Sequence, residues 1–305
     1  MKGAEKAFLN ARFWKLMKKG NRIMDRNSFS FKRLFRQARL MGKTAMRKLK
    51  SLRIAIVGCG RNGSFFANLA AYSGFFRFTL IDPDSVEPHN VNASVLFGYK
   101  DVGKRKVEVV KRKLTDIDPA IECGIFHSPV ENESMLSVLD SCDVIISAVD
   151  SIPAKNFLNS FVSQAMDTGK TISLLDLASG AYVENGRILL LGGQATLFSP
   201  GGACLLCGGL DEDDFTNLSN VSFIVPNGIS AILGIELLMS YLTGYDNPAG
   251  VEERQYNFVL YDCLSHKSVK LNRISRKACK LCGEQKGVSG LLGLKSKGMV
   301  RSQIK

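Results

Sequence analysis

Acidic residues are almost absent from the first fifty positions. Glu5 and Asp25 stand there against 16 Lys/Arg, a charge of +14. The chain of 305 residues carries +13, so the other 255 sum to −1, the difference of the two. A near-neutral body argues against a nucleic-acid-binding core and for a basic appendage. Long apolar runs are missing too: none reaches the roughly 18–20 residues of a membrane span. Lysine and arginine break the N-terminal apolar residues throughout, so no secretory leader is expected. The eight cysteines then point to a reducing, cytoplasmic setting and to metal binding rather than disulfides. There is no internal repeat and no low-complexity tract of consequence.

What is present begins with the arm. Ala4, Ala7, Phe8, Ala11, Trp14 and Met17 recur at steps of three and four among basic residues. That spacing predicts a basic amphipathic helix from Met1 to about Met24. It suits packing on its own body or a second subunit, an acidic protein partner, or an anionic lipid or nucleic-acid surface. Gly20 to Ser30 reads as a linker and Phe31 to Leu49 as a second basic helix. The expected domains are an arm with its linker (1–30), a main domain (31–286, with halves 51–177 and 178–286) and a flexible tail (287–305).

The stretch from Arg53 to Asp84 organises the main domain. Arg53-Ile54-Ala55-Ile56-Val57 is short, β-branched and bounded by glycine, as a buried strand is. Gly58-Cys59-Gly60-Arg61-Asn62-Gly63 follows with G-x-G-x-x-G spacing. Such a loop turns tightly and brings backbone close to a phosphate at the start of the next helix. The second strand ends in Asp82, 19 residues beyond Gly63, where an acid can take ribose hydroxyls. The bland alternative is a glycine turn with no ligand.

Strands and helices then alternate. Helices are expected at Asn62–Ser73, Gly103–Asp116, Glu133–Leu139 and Ala154–Asp167, with strands at Ile121–His127, Asp143–Ala148 and Thr171–Asp176. This pattern implies an α/β fold with a doubly wound, mostly parallel, Rossmann-like sheet. Its ligands should gather at the C-terminal edge of the strands. After 177 the pattern changes to an antiparallel extension. Gly180 to Leu190 reads as two short strands around Asn185-Gly186. An acidic loop (Asp211 to Asp214), an apolar helix (Gly228 to Leu242) and two strands (Tyr256 to Tyr261, Lys267 to Leu271) complete it.

Cys204-x-x-Cys207 and Cys279-x-x-Cys282, with 71 residues between them, form the strongest metal signal. Both sulfurs of such a turn reach one tetrahedral ion, and four thiolates leave no open position, so a structural zinc site is expected. A redox pair or unrelated cysteines are the alternatives. Cys59, Cys123, Cys142 and Cys263 read as small buried hydrophobes.

Several motifs in order resemble the MoeB/ThiF family of adenylyltransferases, over roughly residues 33–283. They are Gly58 to Ser64; Leu80-Ile81-Asp82-Pro83-Asp84-Ser85-Val86-Glu87 followed by Asn90; Asp101 to Lys106; Asp150 after a strand; and the paired C-x-x-C. Arg33-Leu34-Phe35-Arg36-Gln37 resembles the family's R-Y-x-R-Q segment. The resemblance implies an ATP- and magnesium-dependent homodimer that adenylates the C-terminal carboxylate of a ubiquitin-like protein or a peptide. It places Gly58, Gly60, Arg61, Asn62, Gly63, Asp82, Asp84, Asn90 and Lys106 at the nucleotide. Lys106 covers the phosphates, Asp82 takes the ribose, Asp150 holds magnesium and Arg36 reaches a partner's ATP in trans, as an arginine finger does. The resemblance also admits a conjugating-enzyme partner. Each role has a plainer rival: a solvated Lys106, an N-cap at Asp150, Arg33 in place of Arg36, and a turn held by Asn90.

Two departures matter. Ala93 stands where the family has an arginine, three residues after Asn90; Arg61 is a substitute, or activity is lost. Between Gly208 and Pro226 there is no cysteine, which implies an acyl-adenylate without a thioester, as in MoeB-type or microcin-type enzymes. An inactive ThiF-like scaffold and a nicotinamide dehydrogenase are the other readings. The second leaves Lys106, Asp150 and the cysteines unexplained.

Overall fold

The computed structural model describes residues 28–208, 224–245 and 256–283. The expected arm helix, the acidic loop and the C-terminal tail lie outside them. The chain divides into two compact units, 1–36 and 37–305. In the first, Ser28 caps the start of helix α1 (Phe29–Ser51) by accepting the Phe31 N–H at 3.2 Å. The Phe31 and Phe35 rings lie 5.9 Å apart. In the second, α1 breaks at Gly42 (φ 81°, ψ 169°), a left-handed backbone that glycine adopts without a Cβ clash.

The second unit is built on one eight-stranded sheet of order β3-β2-β1-β4-β5-β6-β7-β8. The strands are β1 (Arg53–Val57), β2 (Arg77–Ile81), β3 (Glu122–Phe126), β4 (Val144–Ser147), β5 (Ser173–Glu184), β6 (Arg187–Phe198), β7 (Phe258–Asp262) and β8 (Lys267–Leu271). The first five pair in parallel; from β5 to β8 the pairing is antiparallel. The fold class expected from the sequence is the one found. Helices α2 (Arg61–Tyr72), α3 (Lys106–Ile117), α4 (Ser134–Asp140), α5 (Ile152–Asp167) and α6 (Ile224–Thr243) supply the rest. The central strands are buried on both sides, so they read as unbroken apolar runs rather than alternating ones. One core gathers Val57, Ile145 and Leu174 with Leu158, Phe161 and Val162 of α5 and with Cys204, Cys207 and Cys279.

Two expectations about the second half are corrected. The strand at Thr171–Asp176 and the hairpin at Gly180–Leu190 are not separate. They merge into β5 and β6, each 12 residues long, around the expected Asn185-Gly186 turn. The small residues inside these strands carry no strand propensity; packing puts them there. A Cβ on Gly193 would stand 2.5 Å from the Ser230 nitrogen of α6, and one on Gly192 would stand 2.0 Å from the Tyr261 carbonyl. Secondly, α6 starts at Ile224, four residues before the expected Gly228, and is long and apolar enough to cross a membrane by length and composition. Pro226, Asn227, Ser230 and Glu236 interrupt it in sequence, which hid that length. Half of it is buried inside the protein, packed on β6, β5 and α2.

Candidate nucleotide site and cysteine centre

The glycine loop is fixed by contact as well as by torsion. Gly58 sits at φ 86°, and a Cβ there would stand 2.6 Å from the Ala148 carbonyl. A Cβ on Gly63 would stand 1.8 Å from the Gly58 carbonyl. These two glycines let β1 turn straight into α2 beside the end of β4. Gly60 differs: a side chain there would meet nothing. It is the N-cap of α2, with no side-chain cap and no acid in the first turn. Unsatisfied amides and the positive end of the helix dipole thus face the C-terminal edge of the parallel strands, where an anion is favoured.

Asp82 ends β2 against this loop. Its buried carboxylate accepts the Cys59 N–H at 2.6 Å and the Asp84 N–H at 2.8 Å. Burial pushes its pKa above the ordinary carboxylate range, while the Lys106 ammonium and the two N–H donors oppose that rise. A carboxylate has about four lone-pair positions, so two donors leave room for a ribose hydroxyl.

Lys106 is not a solvated member of a charged helix. It starts α3, three residues later than the sequence suggests, because 103–106 is strapped to 84–86. Val86 donates to the Lys104 carbonyl, Gly103 to the Val86 carbonyl (each 2.8 Å) and Lys106 to the Asp84 carbonyl at 3.0 Å. The Lys106 ammonium, nearly buried, lies 2.8 Å from Asp84 Oδ2. The strap holds one cation at the end of β2, next to the glycine loop.

A polar bridge ties the loop to the second half. The Ser179 hydroxyl lies 2.8 Å from both Asn62 Oδ1 and Asn227 Oδ1. One hydroxyl hydrogen cannot serve two acceptors. The Asn227 amide nitrogen is committed to the Ala93 carbonyl at 3.1 Å, so the Asn62 amide presents its nitrogen to Ser179. Asn90 Oδ1 accepts the Glu87 N–H at 2.9 Å: it does hold a turn. Ala93 is buried behind that turn.

Asp150 is open to solvent and lies 4.0 Å from Arg61 Nη2. It is not the helix cap: Ser151 caps α5, accepting the Ala154 N–H at 3.4 Å. The loop glycines, Arg61, Asn62, Asp82, Asp84, Lys106 and Asp150 thus meet at one sheet edge. Arg36 lies on an exposed position of α1 within the first unit.

The four cysteines of the two C-x-x-C turns converge, all sulfurs within 4.8 Å of one another. Cys204 lies 3.8 Å from Cys207 and 3.7 Å from Cys279, and Cys207 lies 3.4 Å from Cys282. Those spacings are too long for disulfides. They suit tetrahedral thiolates, which at Zn–S ≈ 2.3 Å stand about 3.8 Å apart. Burial pushes the Cys204 thiol up and that of Cys207 to about 11; for Cys279 burial is outweighed by N–H and thiol donors, leaving it at about 7. Such a set does not ionise together unaided, so its chemistry fits a cation that draws the protons off. Of the other four thiols, Cys59 and Cys142 are buried as expected, while Cys123 and Cys263 are only partly so.

A profile of the ThiF family matches residues 33–282. The chain belongs to the ThiF family. It is 25% identical over 240 residues to the molybdopterin-synthase adenylyltransferase of Escherichia coli, covering 77% of this chain and 89% of that one. To the sulfur carrier protein adenylyltransferase of Thermus thermophilus it is 23% identical over 254 residues, covering 80% and 87%. A crystal structure of E. coli MccB with ATP superposes with a TM-score of 0.66 at 22% identity, over 84% of this chain and 75% of that one. That likeness shows the fold. The enzyme class read from the sequence, an adenylyltransferase, agrees with these relatives.

Sequence reasoning missed the residues that join this ThiF domain's halves. Ser179 and Asn227 are two, and neither lies in a motif. Also missed is a buried group within the first half: Asp176 Oδ1 accepts the Ser147 hydroxyl at 2.6 Å, and its Oδ2 accepts the Lys155 ammonium at 3.0 Å. Lys155 could have been flagged as a lone cation on the apolar face of α5.

Proposed function

We propose that this chain uses ATP to activate a C-terminal carboxylate as an acyl-adenylate. The observation that carries the reading is the uncapped, side-chain-free start of α2 facing the same sheet edge as the strapped Lys106. The carboxylate oxygen forms a bond to the α-phosphorus, the α–β bridging P–O bond breaks, and pyrophosphate leaves. Like charges meet in that step, so preorganised cations are its main requirement. Lys106 exchanges Asp84 for phosphate oxygens, and Asp82 accepts from the ribose. Asn90 orders the phosphate-side loop, and Arg61 covers the charge that an arginine at position 93 would cover. Asp150 would hold Mg2+, which supplies neutralisation of the leaving pyrophosphate. Cys204, Cys207, Cys279 and Cys282 would hold a structural zinc. Arg36 acts in trans within a homodimer.

The substrate proposed is the tail of a small ubiquitin-like protein, by analogy with the relative named a sulfur carrier protein adenylyltransferase. With no cysteine between Gly208 and Pro226, the product is the adenylate and not a thioester. A short peptide is the second reading, since one MccB structure holds N-formylated MccA. Ala93 favours a third, a binding scaffold without chemistry. A conjugating enzyme or other acidic partner for the basic arm, and a cytoplasmic setting suited to eight free thiols, complete the proposal. ATP–pyrophosphate exchange tests it. Exchange that appears with a ubiquitin-like protein ending in glycine supports the first reading, and exchange with peptides alone supports the second. No exchange and no ATP binding leaves the scaffold.

A further inference from the structure

Helix α5 carries three buried polar side chains on one face, at i, i+4 and i+8: Lys155, Asn159 and Ser163, none more than 3% exposed. Residues at that spacing stack along a single stripe of a helix. Their neighbours Leu158, Phe161, Val162 and Ala165 are apolar core. Buried polar groups in such company are costly unless each finds a partner, and each of these does so in a different element. Lys155 pairs with Asp176 at the end of the parallel sheet, at 3.0 Å. Asn159 Oδ1 accepts the N–H of Leu205, inside the first C-x-x-C turn, at 3.1 Å. Ser163 donates to the carbonyl of Leu281, inside the second, at 3.0 Å. At the start of the same helix stand Asp150 and its neighbour Ser151, the cap.

We infer that α5 is a strut joining the cysteine centre to the Asp150 end of the nucleotide site, with Lys155, Asn159 and Ser163 as positioning residues. Both C-x-x-C turns hang from the helix by their backbones, so their geometry is fixed relative to α5. The Lys155–Asp176–Ser147 group fixes the other end to β4 and β5. A helix held at three points by hydrogen bonds moves as one body. Loosening the cysteine end therefore loosens the segment that carries Asp150. Calling that end the magnesium side rests on the reading given under Proposed function; the mechanical coupling does not.

The test is hydrogen exchange on the full chain as purified, comparing wild type with Asn159→Ala and Ser163→Ala. Neither residue touches the glycine loop, Lys106 or Asp150. The expected result is faster amide exchange at 150–156, about one to two and a half helical turns from Asn159 and two to three and a half from Ser163, together with metal release to a colorimetric chelator that is roughly 10-fold faster. Ser163→Thr, which keeps the hydroxyl, should restore both. Faster exchange confined to 203–208 and 276–283, with 150–156 unchanged, would overturn the inference. Should either variant exchange globally, the Thr variant and chelator-treated wild type decide by the same segment. ATP binding by equilibrium dialysis is read separately. A chain that binds no ATP but shows the exchange result sinks the nucleotide reading and leaves the strut standing.

Discussion

The two candidate sites of this domain are held in different ways. At the parallel end, the candidate nucleotide site is local but for Asp150. A strand, a glycine turn, a helix start and a strapped lysine all fall between Arg53 and Lys106. The cysteine centre, by contrast, is assembled from two turns of the antiparallel half, 71 residues apart, and hung on a helix from the parallel half, in one core with β1, β4 and β5. A local site tolerates change elsewhere but not a single added methyl group. A distributed site tolerates small local changes but depends on everything that spans it. The bridge through Asn62, Ser179 and Asn227, and α5 itself, keep the two halves in one body.

The contrast can be broken most directly at the glycine turn. Gly63→Ala forces a Cβ to within 1.8 Å of the Gly58 carbonyl, so the backbone must move. The expected cost is about 3 kcal/mol of stability, read from urea midpoints, together with lost nucleotide binding. Unchanged stability would show that the loop is slack. Next, Lys106→Ala should lower pyrophosphate exchange by roughly 10²–10³-fold while leaving the metal content of the cysteine centre unchanged. A matching loss of metal would mean that the two sites are not separately built.

At the cysteine centre, Cys279→Ser should release bound zinc and lower the thermal midpoint, leaving the glycine turn intact. Removing one ligand of a structural metal site withdraws folding energy rather than catalytic charge. Arg61→Ala divides the effects differently again. Its pair with Asp150 is exposed and 4.0 Å long, so its removal should shift stability by less than about 1 kcal/mol. Pyrophosphate exchange should still fall if Arg61 covers phosphate in place of position 93.

The smallest effect expected is one of pH. Burial raises the Asp82 pKa in the folded chain. The stability tied to its proton is therefore complete below the unfolded carboxylate pKa and is lost as pH rises through the folded value. Lys106→Met removes the charge that opposes the rise, so the loss should move to higher pH and deepen. Urea midpoints measured through the acid range for both proteins would reveal it. Identical pH profiles would mean that Lys106 and Asp82 do not sense one another.

The same contrast explains what could be read before the structure. The parallel end was legible because buried strands and tight glycine turns leave short signatures: Arg53 to Gly63 and Asp82. The paired C-x-x-C was legible by its spacing alone. The antiparallel end was legible only in fragments. Ala178-Ser179 and Gly192-Gly193 fall outside the expected strands, yet they lie inside 12-residue strands because α6 and β7 press against them. Ser179, Asn227 and Asp176 acquire partners only through tertiary packing, so no spacing rule points to them. Ser151 took the cap that Asp150 offered, a one-residue difference that sequence pattern does not settle.

The central claim is that the sheet edge beside Gly60 and Lys106 binds ATP and turns a carboxylate into an adenylate. ATP–pyrophosphate exchange with a glycine-ended ubiquitin-like protein, in wild type and Lys106→Ala side by side, tests it most directly. The account predicts exchange that requires the protein substrate and magnesium and falls roughly 10²–10³-fold in the variant. Exchange of equal rate in both proteins would contradict it.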